Sequence, residues 1–422
     1  MANYSKVQFI SWEVHTGPVT TPPPSPGLIM GWINKLFSTG PDPKATPYAG
    51  LVNPFHDIEA RVAFTKDAIS KAAASSAVDK APTTLKIFMA PEFLFRGTVG
   101  AYIHDFINGW GPTPPPGIGT VDPGYKTFPG LFGLLKKAVA VPDYENWIFV
   151  FGTAISASWE APHTQPSVGP SATQSATIYN TALIQAGGAA NGNNNYASRK
   201  HYTSGIDFVT SRMPDILHMK NIAIGQQTPL IQQTILNNSG DEVGVNEGGA
   251  TFQLAGIDDK NAKPIAFGVE VCLDHASSSN VGQVPTKTAP SNAYGRIKTA
   301  GKTVRLQLVP SGGMSLEAAS ICLDTTQGSY AFNCDGLTDF ADHYGAHTQV
   351  WDAKLNPVCQ EPAAKPTGTT TVVALDQSLS VSSVDGTGKV MTTWTSKGSD
   401  LWNNGGGVAG PGQVRIVPAL SL

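Results

Sequence analysis

The stretch "TLKIFMAPEFLFRG", residues 84–97, decides how the rest of the chain is read. Residues 84–90 form a nearly unbroken apolar run stopped by Pro91, the character of a strand covered on both faces rather than one. Upstream, "DIEARVAFTKDAISKAAASSAV" (57–78) carries apolar residues at helical spacing among strong helix formers, and "KVQFISWEV" (6–14) reads as an earlier strand. Downstream, "FPGLFGLLKKAVAV" (128–141) reads as a second helix and "NWIFVFGTAIS" (146–156) as the next strand. Strand, helix, strand, helix, strand is the order of an α/β layered domain. "IYNTALIQ" (178–185), "PIAFGVEVC" (264–272) and "RLQLVPSG" (305–312) add further strands.

The connections are long and rich in Pro, Gly and Ser, notably at 16–27, 109–125 and 161–176, and read as loops inserted into a compact core, either lids and binding loops or plain surface excursions. After about residue 360 the chain turns Thr-, Ser- and Gly-rich with weak alternation. The expected organisation is one large unit over 1–360 and a strand-rich extension over 361–422 that packs on the core or on a partner subunit.

Composition narrows the function classes. With 41% hydrophobic residues and a net charge of -3, the chain is a globular one without the basic excess that nucleic acid phosphates require. The start, "MANYSKVQFISWEVH", has no apolar run suited to a signal peptide, and no stretch reaches the ~18 consecutive apolar residues of a membrane span. The expectation is a cytoplasmic protein with no membrane insertion, non-classical export staying open. Four cysteines, Cys272, Cys322, Cys334 and Cys359, are too few and too dispersed for a disulfide framework, although Cys322 and Cys334 could pair in an oxidising compartment. No CxxC, HExxH or Cys/His cluster has zinc spacing, so neither a metal nor a cofactor is expected.

Three strand ends carry residues suited to chemistry. In "FGVEVCLDHA" (267–276), alternation puts Gly268, Glu270 and Cys272 on one side and Phe267, Val269 and Val271 on the other. Cys272 is then the last strand residue, and the turn that follows can aim backbone N–H groups at a substrate oxygen. Alone, such a cysteine is more often a core residue. Glu92 follows its strand directly, among Phe93, Leu94 and Phe95, where desolvation raises a carboxylate's proton affinity toward the range useful for a general base; the bland alternative is a structural pair with Arg96. Lys200, in "YASRKHYTSGIDF", sits in an aromatic, weakly charged setting, against the usual solvated surface lysine. His275 either contacts substrate or, more often for its position, is a surface-turn histidine.

Taken together, "FMAPEFLFRG", "YNTALIQ" followed by "SRKHY", and "GVEVCLDH" resemble the glutamate, lysine and cysteine motifs of the nitrilase, or carbon–nitrogen hydrolase, superfamily. "LQLVPSGG" is similar to the strand and Pro-Ser turn that follow the nucleophile there, "GVEVCLD" is closest to the glutaminase-type members, and the resemblance spans roughly residues 6–315. "AHTQVWD" (346–352) and "VDGTGKVMTTW" (384–394) fit the last strands. The resemblance implies a four-layer αββα sandwich of the nitrilase type, here with long loop insertions and extra C-terminal strands. It implies Cys272 as nucleophile, Glu92 as general base and acid, and Lys200 with the backbone N–H of Leu273 as stabilisers of the charge that develops on the substrate. Arg96, Tyr179, Asn180, Asp207 and His275 are supporting or substrate-contacting candidates. The substrate would be a small amide or nitrile, cleaved through a thioester, and the protein a homo-oligomer, a dimer or larger.

Two departures bear on the substrate more than on the reaction. The second glutamate that many members carry after the lysine is missing, Asp207 being the nearest carboxylate, and "HASSSNVG" replaces the usual aromatic and Pro-Glu ending of the cysteine motif. The rivals are an N-acyltransferase that hands the same thioester to an amine and a catalytically silent binding protein on the same fold. A papain-like hydrolase fits less well, since no histidine is marked out as its base. Cys322, in "ICLD" (321–324), echoes the motif but follows no strand and reads as a bystander.

Overall fold

The computed structural model describes residues 3–17, 48–51, 53–97, 100–113, 124–159, 176–200, 249–275, 295–336, 348–354, 370–385, 388–402 and 410–422. They form a mixed α/β protein built on two large sheets. In the nine-stranded sheet, Lys6–Glu13, Thr84–Met89 and Trp147–Trp159 run parallel and side by side. Ala176–Ala186 and Asn195–Arg199 continue it as an antiparallel meander. The five-stranded sheet has Phe267–Val269, Leu306–Ser311 and Tyr330–Asp335 parallel at its centre, flanked antiparallel by Thr251–Phe252 and Thr348–Asp352. The two helical runs form Pro54–Ala74 and Gly130–Val139.

The near-continuous apolar strands follow from what covers them. On the nine-stranded sheet Val7, Phe9, Ile87 and Ile148 face Leu306, Leu308 and Phe332 of the other sheet, and the Phe9 and Phe332 ring centroids are 4.7 Å apart. The alternate residues Ile10, Trp12, Phe88 and Phe149 face the helices. Both faces of these strands are therefore dry, and each contributes burial free energy at roughly 25 cal/mol per Å² of apolar surface. The outer face of the five-stranded sheet, with Val309, Ala331 and Trp351, is covered among the described residues by the four-residue helix Arg296–Thr299 and by loop residues such as Leu316 and Leu323.

The long helix begins where Asn53 accepts a hydrogen bond from the Phe55 N–H at 2.9 Å with Pro54 in the first turn, a start signal readable in the sequence. Arg61 on this helix is buried, paired with Asp57 at 2.8 Å, and donates to the carbonyls of Ala49, Leu94 and Leu401, all at 2.8 Å. It ties the helix to the loop after Glu92 and to the C-terminal part of the chain.

That C-terminal part is woven into the same body. Gln413–Ile416 pairs antiparallel with Lys6–Glu13, and Thr371–Ala374 pairs with Gln413–Ile416. Arg415 forks onto Glu13 at 2.5 and 3.1 Å, and Gln413 donates to the same carboxylate at 2.7 Å. The hairpin of Ser378–Val384 and Val390–Lys397 lies against the long helix, with the Trp394 ring 4.3 Å from that of His56 and Ser383 donating to Glu59 at 2.5 Å. No helix among the described residues is long and apolar enough to cross a membrane.

Candidate active site

The C-terminal ends of parallel strands from both sheets meet at one edge of the central core, the place where α/β sheets hold their ligands. Glu92 comes from the end of Thr84–Met89, Cys272 from the end of Phe267–Val269 and Gly312 from the end of Leu306–Ser311. Lys200 follows Asn195–Arg199.

The Glu92 loop owes its course to a bulge. The pairing of Trp147–Trp159 with Ala176–Ala186 shifts register between Val150 and Thr153. At Gly152, with φ +65°, a β-carbon would stand 2.1 Å from the Pro91 carbonyl oxygen, so no larger residue lets the chain cross there. The bulge then offers Thr153, whose hydroxyl accepts from the Phe93 N–H at 2.9 Å and whose carbonyl accepts from Phe95 N–H at 3.1 Å. On the other side Thr16 donates to the Glu92 carbonyl at 2.5 Å, and Glu92 N–H donates to the Ser311 carbonyl at 3.2 Å. Phe93 is held at φ +64°, a conformation L-residues avoid.

So anchored, the Glu92 side chain is completely buried, and its Oε1 accepts from Lys200 Nζ at 2.9 Å and from Asn180 Nδ2 at 2.7 Å. Lys200 is equally buried and its N–H donates to the Asn180 carbonyl at 2.8 Å, so the three residues form one hydrogen-bonded unit that reaches across the strand between those of Glu92 and Asn180. Arg96 is stacked between the rings of Tyr48 and Phe93, 4.0 and 3.7 Å from their centroids.

The Cys272 turn differs from the sequence expectation. The strand ends at Val269, not at Cys272, and Cys272 opens a 3-10 turn, Cys272–His275, with φ +49°. Strict alternation would put Cys272 beside Gly268 and Glu270. Instead Gly268 faces Ile297 and Val304 on the outer side of the sheet, while Cys272 joins Val269 and Val271 in the core between the sheets. The left-handed backbone turns the thiol onto the inner face. There Cys272 Sγ lies 3.9 Å from the Gly312 carbonyl oxygen. A β-carbon on Gly312 would be 3.1 Å from Glu92 Oε2 and 2.8 Å from the Phe93 ring, so Gly312 brings the cysteine and glutamate loops into contact at a spot only glycine fits.

Of the other residues singled out in the sequence, Leu273 is buried within the same turn. Tyr179 is half-buried and faces away from Glu92, stacked on Arg199 at 3.9 Å and near His104. Asp207 lies outside the described residues, as do Cys359 and most of the loops at 109–125 and 161–176. His275 is not a surface histidine: it is fully buried, because the turn folds it back under the sheet, where Nδ1 donates to Glu270 Oε2 at 2.6 Å. Cys322 and Cys334 cannot pair as they stand, since they belong to separate cores on the outer and inner faces of the five-stranded sheet, and both are free. Burial, aided by Glu270, pushes the Cys322 thiol up to about 11. Burial, with Glu13 and Asp335, pushes the Cys334 thiol well above its ordinary value.

Sequence reasoning missed Thr16, Gly152, Thr153 and Gly312 as builders of the site. It also missed Arg296, whose Nη1 donates to Asp274 at 3.1 Å, to Ser198 at 3.2 Å and to the Arg199 carbonyl at 3.0 Å, linking the cysteine turn to the lysine strand. Gly152 interrupts an apolar run and could have been suspected as a bulge; nothing local marks the rest.

No protein-family model matches the chain, and no curated protein does. Among solved structures, it is similar to an N-terminal amidase with a bound Gln-Val peptide, at 13% identity and a TM-score of 0.29, covering 73% of this chain and 48% of that one. The chain thus spans about half the length of that amidase. It is also similar to an amidase of the nitrilase superfamily from Nesterenkonia AN1, at 9% identity and a TM-score of 0.29, covering 99% of this chain and 91% of that one. A variant of the amidase from Nesterenkonia sp. AN1, showing Michael addition of acrylamide at its active-site cysteine, matches at 10% identity and a TM-score of 0.30, covering 98% and 92%.

Proposed function

We propose that the chain is a nitrilase-like amidase that hydrolyses non-peptide carbon–nitrogen bonds through a thioester on Cys272. The observation that carries the reading is the buried Glu92–Lys200–Asn180 unit meeting the left-handed Cys272 turn across Gly312. A surface ion pair would need none of this burial, and a bland core cysteine would need no unusual backbone.

In this reading Glu92 takes the thiol proton as Cys272 Sγ attacks the carbonyl carbon of an amide, and the charge that develops on the oxygen is balanced by the Lys200 ammonium and the Leu273 N–H. The tetrahedral species collapses with transfer of the same proton from Glu92 to the leaving amine, which departs and leaves an acyl thioester. Water then enters, Glu92 removes a proton from it, the oxygen adds to the thioester carbon, and the thiol leaves with that proton. The products are a carboxylic acid and an amine, and the enzyme is restored. Asn180 keeps the carboxylate in place, and Arg96 braces Phe93 behind it. The four-layer αββα arrangement and assembly into oligomers belong to the same proposal.

The test is ammonia release from a panel of small primary amides by the native protein and by Cys272→Ala and Glu92→Gln, with hydroxylamine added to intercept the thioester as a hydroxamate. Release and hydroxamate that both vanish in Cys272→Ala support the reading. Release undiminished in Cys272→Ala would sink it.

A further inference from the structure

We infer that Glu270 and His275 are positioning residues that clamp the Cys272 turn from the opposite face of the sheet; the inference rests on the reading of Cys272 as the nucleophile. The left-handed conformation of Cys272 is unfavourable for an L-residue and persists only where the surroundings over-determine it. What does so lies two residues before it and three after. Glu270 and His275 meet behind the turn, with Nδ1 of the imidazole donating to Oε2 of the carboxylate at 2.6 Å, closing a ring of chain around Cys272.

The rest of the network leaves the pair no freedom. Gln307 Nε2 donates to Glu270 Oε2 at 2.8 Å and to the Ser320 carbonyl at 3.0 Å, and Ile297 N–H donates to Glu270 Oε1 at 2.8 Å. Glu270 therefore accepts on both oxygens, as an ionised carboxylate does. His275 Nε2 accepts from the Glu317 N–H at 3.0 Å; a backbone amide can only donate, so the imidazole is neutral with its proton on Nδ1. Glu270, His275 and Gln307 are all fully buried. Because Glu270 faces the outer core and Cys272 the inner one, neither Glu270 nor His275 shares a face with Glu92 and Lys200. They act through the backbone of the turn, not on the substrate.

Two substitutions separate the halves of the clamp. His275→Asn keeps an amide N–H near the Nδ1 position and so keeps Glu270; His275→Gln reaches the Nε2 position, keeps the Glu317 contact and gives up Glu270. The readout is the rate of Cys272 alkylation by iodoacetamide, followed by peptide mass spectrometry in the full-length protein, with thermal midpoints recorded beside it. The expected result is a slowing of roughly tenfold or more in His275→Gln and of less than about threefold in His275→Asn. Equal rates in both variants, whether native or reduced, overturn the clamp. If His275→Gln does not fold, Glu270→Gln replaces it, with the same slowing expected and a native rate overturning the inference. A Cys272 that reacts no faster than Cys322 in the native protein, and no slower in Glu92→Gln, defeats the nucleophile reading and the clamp with it. A reactive, Glu92-dependent Cys272 indifferent to His275 defeats the clamp alone.

Discussion

Cys272 and Cys334 occupy the same core between the sheets, and neither is joined to another cysteine. Cys334 sits inside Tyr330–Asp335, opposite Pro310 and Thr348 in regular register, with its sulfur 3.4 Å from the Trp12 carbonyl. Apolar cover and the carboxylates of Glu13 and Asp335 hold its thiol protonated. Cys272 lies just past a strand end, on a left-handed backbone, where the loops of both sheets converge. Burial alone makes an inert thiol. What sets Cys272 apart is its position at the end of a parallel strand and the torsion that turns it toward Gly312 and the Glu92 loop.

The sharpest way to break this contrast is to remove each sulfur in turn. Cys272→Ala is expected to lower turnover about a thousandfold or more while circular dichroism and the melting temperature stay native. Next in size is Lys200→Met. It is expected to reduce kcat roughly 10²–10³-fold and, by leaving Glu92 buried without its cation, to destabilise the fold by about 3–5 kcal/mol in urea titrations; adding Glu92→Gln should restore part of that stability. Gly312→Ala drives a methyl group into the Phe93 ring and toward Glu92. It should cost about 1–3 kcal/mol of stability and at least roughly tenfold in turnover; an unimpaired variant would show that the two loops do not need this contact.

The smallest effects belong to the other cysteines. The Cys322 thiol, raised from 9.0 to about 11, should alkylate slowly at pH 8 and faster as the pH climbs toward 11, read by peptide mass spectrometry. Its folded form favours the protonated thiol, so the stability it contributes is fully present below pH 9 and is lost as the pH rises toward 11. Cys334→Ala should cost on the order of 1 kcal/mol and leave turnover unchanged.

Periodicity and stop signals in the sequence were enough to find the strands and the two main helices, because both faces of the central strands are dry and their apolar runs are unbroken. They marked Glu92, Lys200 and Cys272 as residues at or near strand ends in settings their types seldom occupy, and only the resemblance of the three motifs joined them into one candidate site. They misjudged the Cys272 turn, since alternation assumes an extended backbone and Cys272 has left it. They placed His275 at the surface, because the turn that folds it under the sheet depends on Glu270, Gln307 and Glu317, up to 42 residues away.

The sequence by itself determined the α/β class, the run of strands and the residue types able to do nucleophilic chemistry, all of which depend on local pattern. Only the tertiary structure decided that Lys200 and Asn180 close on Glu92, that Gly312 joins the two loops, that Cys272 faces inward and that the C-terminal strands complete the nine-stranded sheet. Those outcomes come from contacts between segments far apart in the chain, where packing density and hydrogen-bond satisfaction, not local propensity, select the arrangement.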